Sequence, residues 1–157
     1  MHTTTFEDSI GRQWNLALNL NNLDVIRQQL RIDLNKIRDG RELIELQADI
    51  AKLGAIAWAI CEPSAKEQGV DRKSFLEALD GAALDRVADA LVEAVIQVAP
   101  KKSRDALRKV ITSTFEAHRE AMAKIENWVE ANAGKLLEEV SAVTTAKLNG
   151  LLTAEAK

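Results

Sequence analysis

The chain has 157 residues, 46% of them apolar and 4% aromatic, with a formal charge of −3. That length fits one domain with room for an appendage, and the apolar fraction supports a real core. The charge gives no general attraction to nucleic acid or to anionic membrane, and the single cysteine, Cys61, excludes an internal disulfide and fits a reducing compartment.

The first residues, Met1-His2-Thr3-Thr4-Thr5, carry neither the basic nor the apolar stretch of a secretion signal. The longest apolar stretch, Leu53 to Cys61, falls well short of the roughly 20 residues that cross a bilayer. A cytoplasmic protein is the expectation.

In chain order, the N-terminal segment reads as a β-hairpin. Apolar residues alternate at Trp14, Leu16, Leu18 and Leu20, the period of a half-buried strand. Gly11 stands where a turn needs positive φ, after the turn formers Asp8 and Ser9. The predicted strands are Thr3–Phe6 and Gln13–Leu20. From Leu23 the period becomes helical. Asn21 or Asn22 is the expected cap of a first helix carrying Leu23, Ile26 and Leu30 on one face. Arg31 to Leu34 leaves that helix, and Asp39-Gly40 marks a turn.

A second helix is predicted over Glu42–Ile60, with Leu43, Leu46, Ile50, Leu53, Ala57 and Ile60 as its stripe, ended by Pro63. It is apolar nearly all round from Leu53, as a central buried helix would be. One short turn over Ser64–Gln68 closes at Gly69. Asp71 caps Arg72–Leu79, with Phe75, Leu76 and Leu79 facing inward. Asp80-Gly81 breaks this piece, and Ala82–Val98 forms the next helix, stopped by Pro100.

Ser103 is the predicted cap of a last long helix. Its spacing runs Leu107, Ile111, Thr114, His118, Ala121 or Met122, Ile125, Val129, Leu136, Val140 and Val143, with a break or weak point at Gly134 and fraying toward Lys157. The expected fold is therefore α+β and mainly α: a short N-terminal β-hairpin on a bundle of four to five helices, then a long C-terminal helix. The boundary is drawn at Pro100, between a body of residues 1–100 and an arm of residues 101–157.

Chemistry-bearing residues are sparse. His2 and His118 lack companions at metal-ligand spacing, so no metal site is expected. Cys61 is placed at a helix C-terminus, where the dipole disfavours a thiolate, and reads as a packing residue. The acidic pairs Glu138-Glu139 and Asp85/Asp89 are of a kind common on solvated helices. There is no phosphate loop, dinucleotide fingerprint or nucleophile elbow. No enzyme and no cofactor are expected. The basic run from Lys101 to Lys109 can contact phosphates, dock an acidic partner, or be the solvated first turns of a helix; nucleic acid is the weakest of these readings. Trp128 either folds back on the body or meets a partner.

Phe6-Glu7-Asp8-Ser9-Ile10-Gly11-Arg12-Gln13-Trp14-Asn15-Leu16 resembles the opening F-x-D-x-x-G-R-x-W-x-L of a group of tailed-bacteriophage proteins. Val25-Ile26-Arg27, Ile32-Asp33-Leu34, Trp58-Ala59-Ile60-Cys61-Glu62 and Phe75-Leu76-Glu77-Ala78-Leu79 are similar to later parts of the same pattern. The resemblance covers about residues 6–110 and leaves the arm from Thr112 unmatched. It implies a small cytoplasmic tail assembly chaperone of a phage or prophage, acting in virion morphogenesis by protein–protein interaction with tail tube or tape-measure protein. The alternative is a structural virion protein of the tail or connector that oligomerises through its hairpin and arm.

On the chaperone reading, the partner-binding residues are the arm stripe Leu107, Ile111, Ile125, Trp128 and Val129, with Lys101, Lys102 and Arg108 setting orientation. Intramolecular packing is the competing role for each. A homo-oligomer is a further possible state, and no membrane partner is expected.

Overall fold

A computed structural model describes residues 4–37 and 40–154 of the chain. Strand β1 (Thr5–Glu7) pairs antiparallel with β2 (Gln13–Asn15), in the register Phe6 opposite Trp14. Six α-helices follow among the described residues: α1 (Leu20–Leu30), α2 (Arg41–Ala48), α3 (Ile50–Glu67), α4 (Arg72–Glu77), α5 (Gly81–Val98) and α6 (Arg104–Ala154). The fold is thus mainly helical, with an N-terminal hairpin and a long C-terminal helix. Thr3 and Asp39 lie outside the described residues.

The strands are shorter than the alternation of apolar residues implies. Trp14 and Leu16 are buried and Leu18 is half-buried, but Leu20 is exposed and already helical. The helix begins early because Asn19 caps it. The Asn19 side chain accepts from the Asn22 N–H, and the Asn22 side chain accepts from the Asn19 N–H at 2.7 Å. This reciprocal box satisfies two backbone donors at once. The expected caps Asn21 and Asn22 are therefore replaced by Asn19, with Asn22 as its counterpart.

The single helix expected over Glu42–Ile60 is two. Asp49 leaves the helical region, and its side chain accepts from the Lys52 N–H to start α3. The break moves Ile50 out of the stripe, where it is exposed. Nor does Pro63 end α3. Proline forfeits one backbone donor, but its φ is helical, and a helix held on several sides absorbs that loss. α3 continues to Glu67 and closes at Gly69, whose φ is 67°. There the Gly69 N–H donates to Lys66 O and the Val70 N–H to Ala65 O, the paired bonds of a Schellman end. The predicted turn over Ser64–Gln68 is the last turn of this helix.

α3 is the central helix. It packs against α1, α2, α4, α5 and β2. Leu53, Ile56, Ala57, Ile60 and Cys61 are buried along it. Asp71 and Asp80 cap α4 and α5 through the N–H groups of Ser74 and Ala83. A 3-10 turn, Lys101–Ser103, precedes α6 in place of a simple Ser103 cap. Gly134 causes no break; α6 runs through it.

Compact contacts divide the chain into residues 1–115 and 116–157. The first unit thus extends past Pro100, because the opening turns of α6 belong to its core. Ile111 is buried, and Leu107 and Phe115 pack on the same cluster. Gly40 permits this packing. Its φ is 87°, and a Cβ there would lie 3.3 Å from Ile111 Cα. A side chain at Gly40 meets both backbone strain and a close backbone neighbour. Gly40→Ala is expected to lower stability by about 2 kcal/mol, read as an earlier urea midpoint with an unchanged slope.

Candidate functional site

The described residues offer two polar centres and one unpartnered surface. The first centre is Asp8, which is 2% exposed. One oxygen accepts from the backbone N–H groups of Ile10 and Arg12 at 3.1 and 2.9 Å. The other accepts from Arg12 Nε at 2.6 Å and from Trp14 Nε1 at 2.9 Å. Gly11, at φ 85°, lets the turn fold back around the carboxylate. Arg12 continues to Ser74 O and lies 5.4 Å over the Trp14 ring. Trp14 meets Phe75 edge-on at 4.9 Å, and Phe75 meets Trp58 at 5.4 Å.

The Asp8-Gly11-Arg12-Trp14 pattern is thus a structural clasp joining the hairpin to α3 and α4. Burial pushes the Asp8 carboxyl up, but the bonds from Trp14, Arg12 and Ile10 outweigh it and hold it below its ordinary 3.8. Every acceptor site is engaged internally, so nothing is left for a substrate. The second centre is Glu93, buried on α5. Arg108 of α6 grips it with two bonds, Nη1 to Oε2 at 2.7 Å and Nη2 to Oε1 at 3.0 Å. Gln97 also donates to Glu93 Oε1. This fork fastens the start of α6 to α5.

The expected partner-binding residues therefore separate. Ile111 is core, Leu107 is half-buried against the core, and Arg108 is committed to Glu93. These three make intramolecular contacts, the competing role expected for each. Lys101 and Lys102 are exposed in the 3-10 turn. Ile125, Trp128 and Val129 are 54%, 58% and 44% exposed. The basic run does not act as one patch, since Arg104 donates to Ala99 O and Arg108 turns to Glu93.

Residues 116–154 form one uninterrupted helix, about 60 Å long at 1.5 Å per residue. Besides Ile125, Trp128 and Val129 it exposes Met122, Leu136, Val140, Val143, Leu148 and Leu151. Leu148 and Leu151, which the expected stripe left out, share the same helical half. The 3–4 spacing from Met122 to Val143 was the available signal; Leu148 follows Val143 by five positions and falls outside it. A single helix cannot bury such a face on itself. His118, Glu138 and Glu139 are exposed on this helix.

Cys61 lies within α3, not at its end, and is buried against Asn15 O at 3.8 Å. Burial pushes its thiol up to about 12, which keeps it protonated and unreactive. Among the described residues no group of three or more His, Cys, Asp or Glu side chains is placed to hold a metal ion. No helix among them is long and apolar enough to cross a membrane. No family model matches the chain, and no curated protein or solved structure is found to match it.

Two measurements probe the polar centres. Asp8 has a lowered folded-state pKa, so its contribution is present above pH 3.8 and is lost as pH falls through the folded value. Asp8→Asn should cost about 2 kcal/mol at neutral pH and flatten the acid limb of the stability profile. Arg108→Ala removes a bidentate partner from a buried carboxylate and should cost about 3 kcal/mol, measured by urea unfolding at pH 7.

Proposed function

We propose that the chain is a tail assembly chaperone of a phage or prophage that binds tail tube or tape-measure protein non-covalently. It would act in the host cytoplasm. The observation that carries this reading is the exposed apolar face of α6 from Met122 to Leu151. The N-terminal resemblance supplies the phage context. Tube and tape-measure chains expose apolar or coiled segments before assembly, and an uncovered segment of that kind aggregates. An amphipathic helix covers such a segment by laying its apolar face along it.

The polar centres agree with a binding role. Asp8, Glu93 and Cys61 are each consumed by packing, which leaves adhesion as the chemistry the surface supports. Of the residues expected to meet a partner, Ile125, Trp128 and Val129 remain as contacts. Lys101 and Lys102 remain exposed to set orientation through charge.

The test is co-purification. The chain should travel with tape-measure or tube protein from an infected lysate and be absent from finished particles. Fixed copy number in purified particles would instead establish the structural virion reading. The double substitution Ile125→Asp with Trp128→Asp should cut client capture at least about tenfold, since charges on an apolar face lose their hydration on docking. The unfolding midpoint of residues 1–115 should not move. Undiminished capture would remove the arm as the contact.

A further inference from the structure

The exposed stripe of α6 has a period that selects its occupant. Met122, Ile125, Val129, Asn132 and Leu136 follow one another at steps of three and four. This is the a/d spacing of a coiled-coil seam, with Met122, Val129 and Leu136 at a and Ile125 and Asn132 at d. From Leu136 the stripe steps four positions to Val140 and then three to Val143, with Leu137 exposed beside it. That step turns the seam and keeps Glu139 out of it. We propose that, when no other protein covers this face, two copies of the chain pair along α6, parallel and in register, with Asn132 of one copy facing Asn132 of the other.

Three observations favour a second copy, and favour the parallel arrangement. The first is the polar residue in the seam. The Asn132 Nδ2 donates to Trp128 O at 2.7 Å, and the amide keeps a second N–H and a carbonyl oxygen. An asparagine facing an apolar residue would bury these groups unpaired, whereas an identical asparagine offers the matching donor and acceptor. In-register parallel pairing brings the two together at the same level.

The second is the fit beside the seam. Parallel pairing places each g position next to the e position five residues on in the other strand. Ala121 then lies beside Glu126, and Trp128 beside Ala133. No like charges oppose one another at these two levels, and the large indole meets a methyl group. The third is area. Met122, Ile125, Val129, Leu136, Val140 and Val143 are each 40–64% exposed. Covering all six on two copies removes on the order of 1,000 Å² from water, which reaches the size of a specific interface.

Self-pairing is independent of the chaperone reading, although the two share a surface. A client helix would have to displace the second copy, so free chain would exist as a reservoir whose apolar face is covered. The intact chain is tested by sedimentation equilibrium from about 1 to 100 µM, a span that brackets ordinary dimer affinities. A concentration-dependent dimer is expected. Ile125→Asp should weaken dimerisation at least about tenfold, with the unfolding midpoint of residues 1–115 unchanged as the control on folding.

Orientation is read separately. Asn132→Cys should give a disulfide-linked dimer on mild oxidation, because parallel strands bring the two positions together; Cys61 is buried and does not compete. Asn132→Val should yield a tighter assembly of less defined stoichiometry, as expected when the polar specificity element is removed. A chain monomeric at the highest concentration would overturn the proposal and assign the stripe to an unlike partner. A dimer in which Asn132→Cys forms no cross-link would overturn the parallel register. Neither result bears on whether the client co-purifies, so the two readings fail separately.

Discussion

The buried carboxylate of Asp8 is the constraint from which the first unit is organised. A charged group at 2% exposure survives only when its lone pairs are filled. Here two backbone N–H groups, a guanidinium and an indole fill them. Each donor is fixed in return. The two amides shape the Gly11 turn, Arg12 is drawn toward Ser74 O, and Trp14 is held edge-on to Phe75. A two-stranded hairpin is marginal alone, and this one is held by the clasp and by its bonds to neighbours. The Ser9 N–H donates to Ala78 O, and Arg86 Nε to Glu7 O.

The second polar centre serves a different end. Glu93 and Arg108 do not shape a turn; they fix where α6 starts. A buried ion pair is a poor source of net stability but is costly to break, because the surviving charge is stranded. That property suits an anchor. Together with Ile111 against Gly40, it secures the first turns of a helix whose remaining length meets nothing within its own unit. The contrast along one element is sharp. Ile111 is 2% exposed and Ile125 is 54% exposed on the same helix.

An apolar helix face of this length is held in water at a cost, and the fold does nothing to reduce it. Its polar interruptions lie at intervals, not at random. Asn132 sits inside the stripe, and Glu139 lies at its edge. A surface of this form recognises another helix by spacing and by the level of its polar groups, with shape and register making the selection.

Much of the architecture was legible in local patterns. The alternation of Trp14, Leu16 and Leu18, the turn at Gly11, the cap Asp71 and the break at Asp80-Gly81 depend on residues close in sequence, so short-range physics determined them. The long C-terminal helix was determined in the same way. What tertiary structure decided were matters of competition between distant residues. Asp49 breaks a continuous apolar stripe because its cap bond to Lys52 wins locally, and Pro63 is absorbed because neighbours hold α3 on several sides. Whether Arg108 and Ile111 belong to a binding face or to the core was decided by Glu93 and Gly40, each far away in sequence. Periodicity reports that a helix has an apolar face, but only packing determines which turns of that face are already covered.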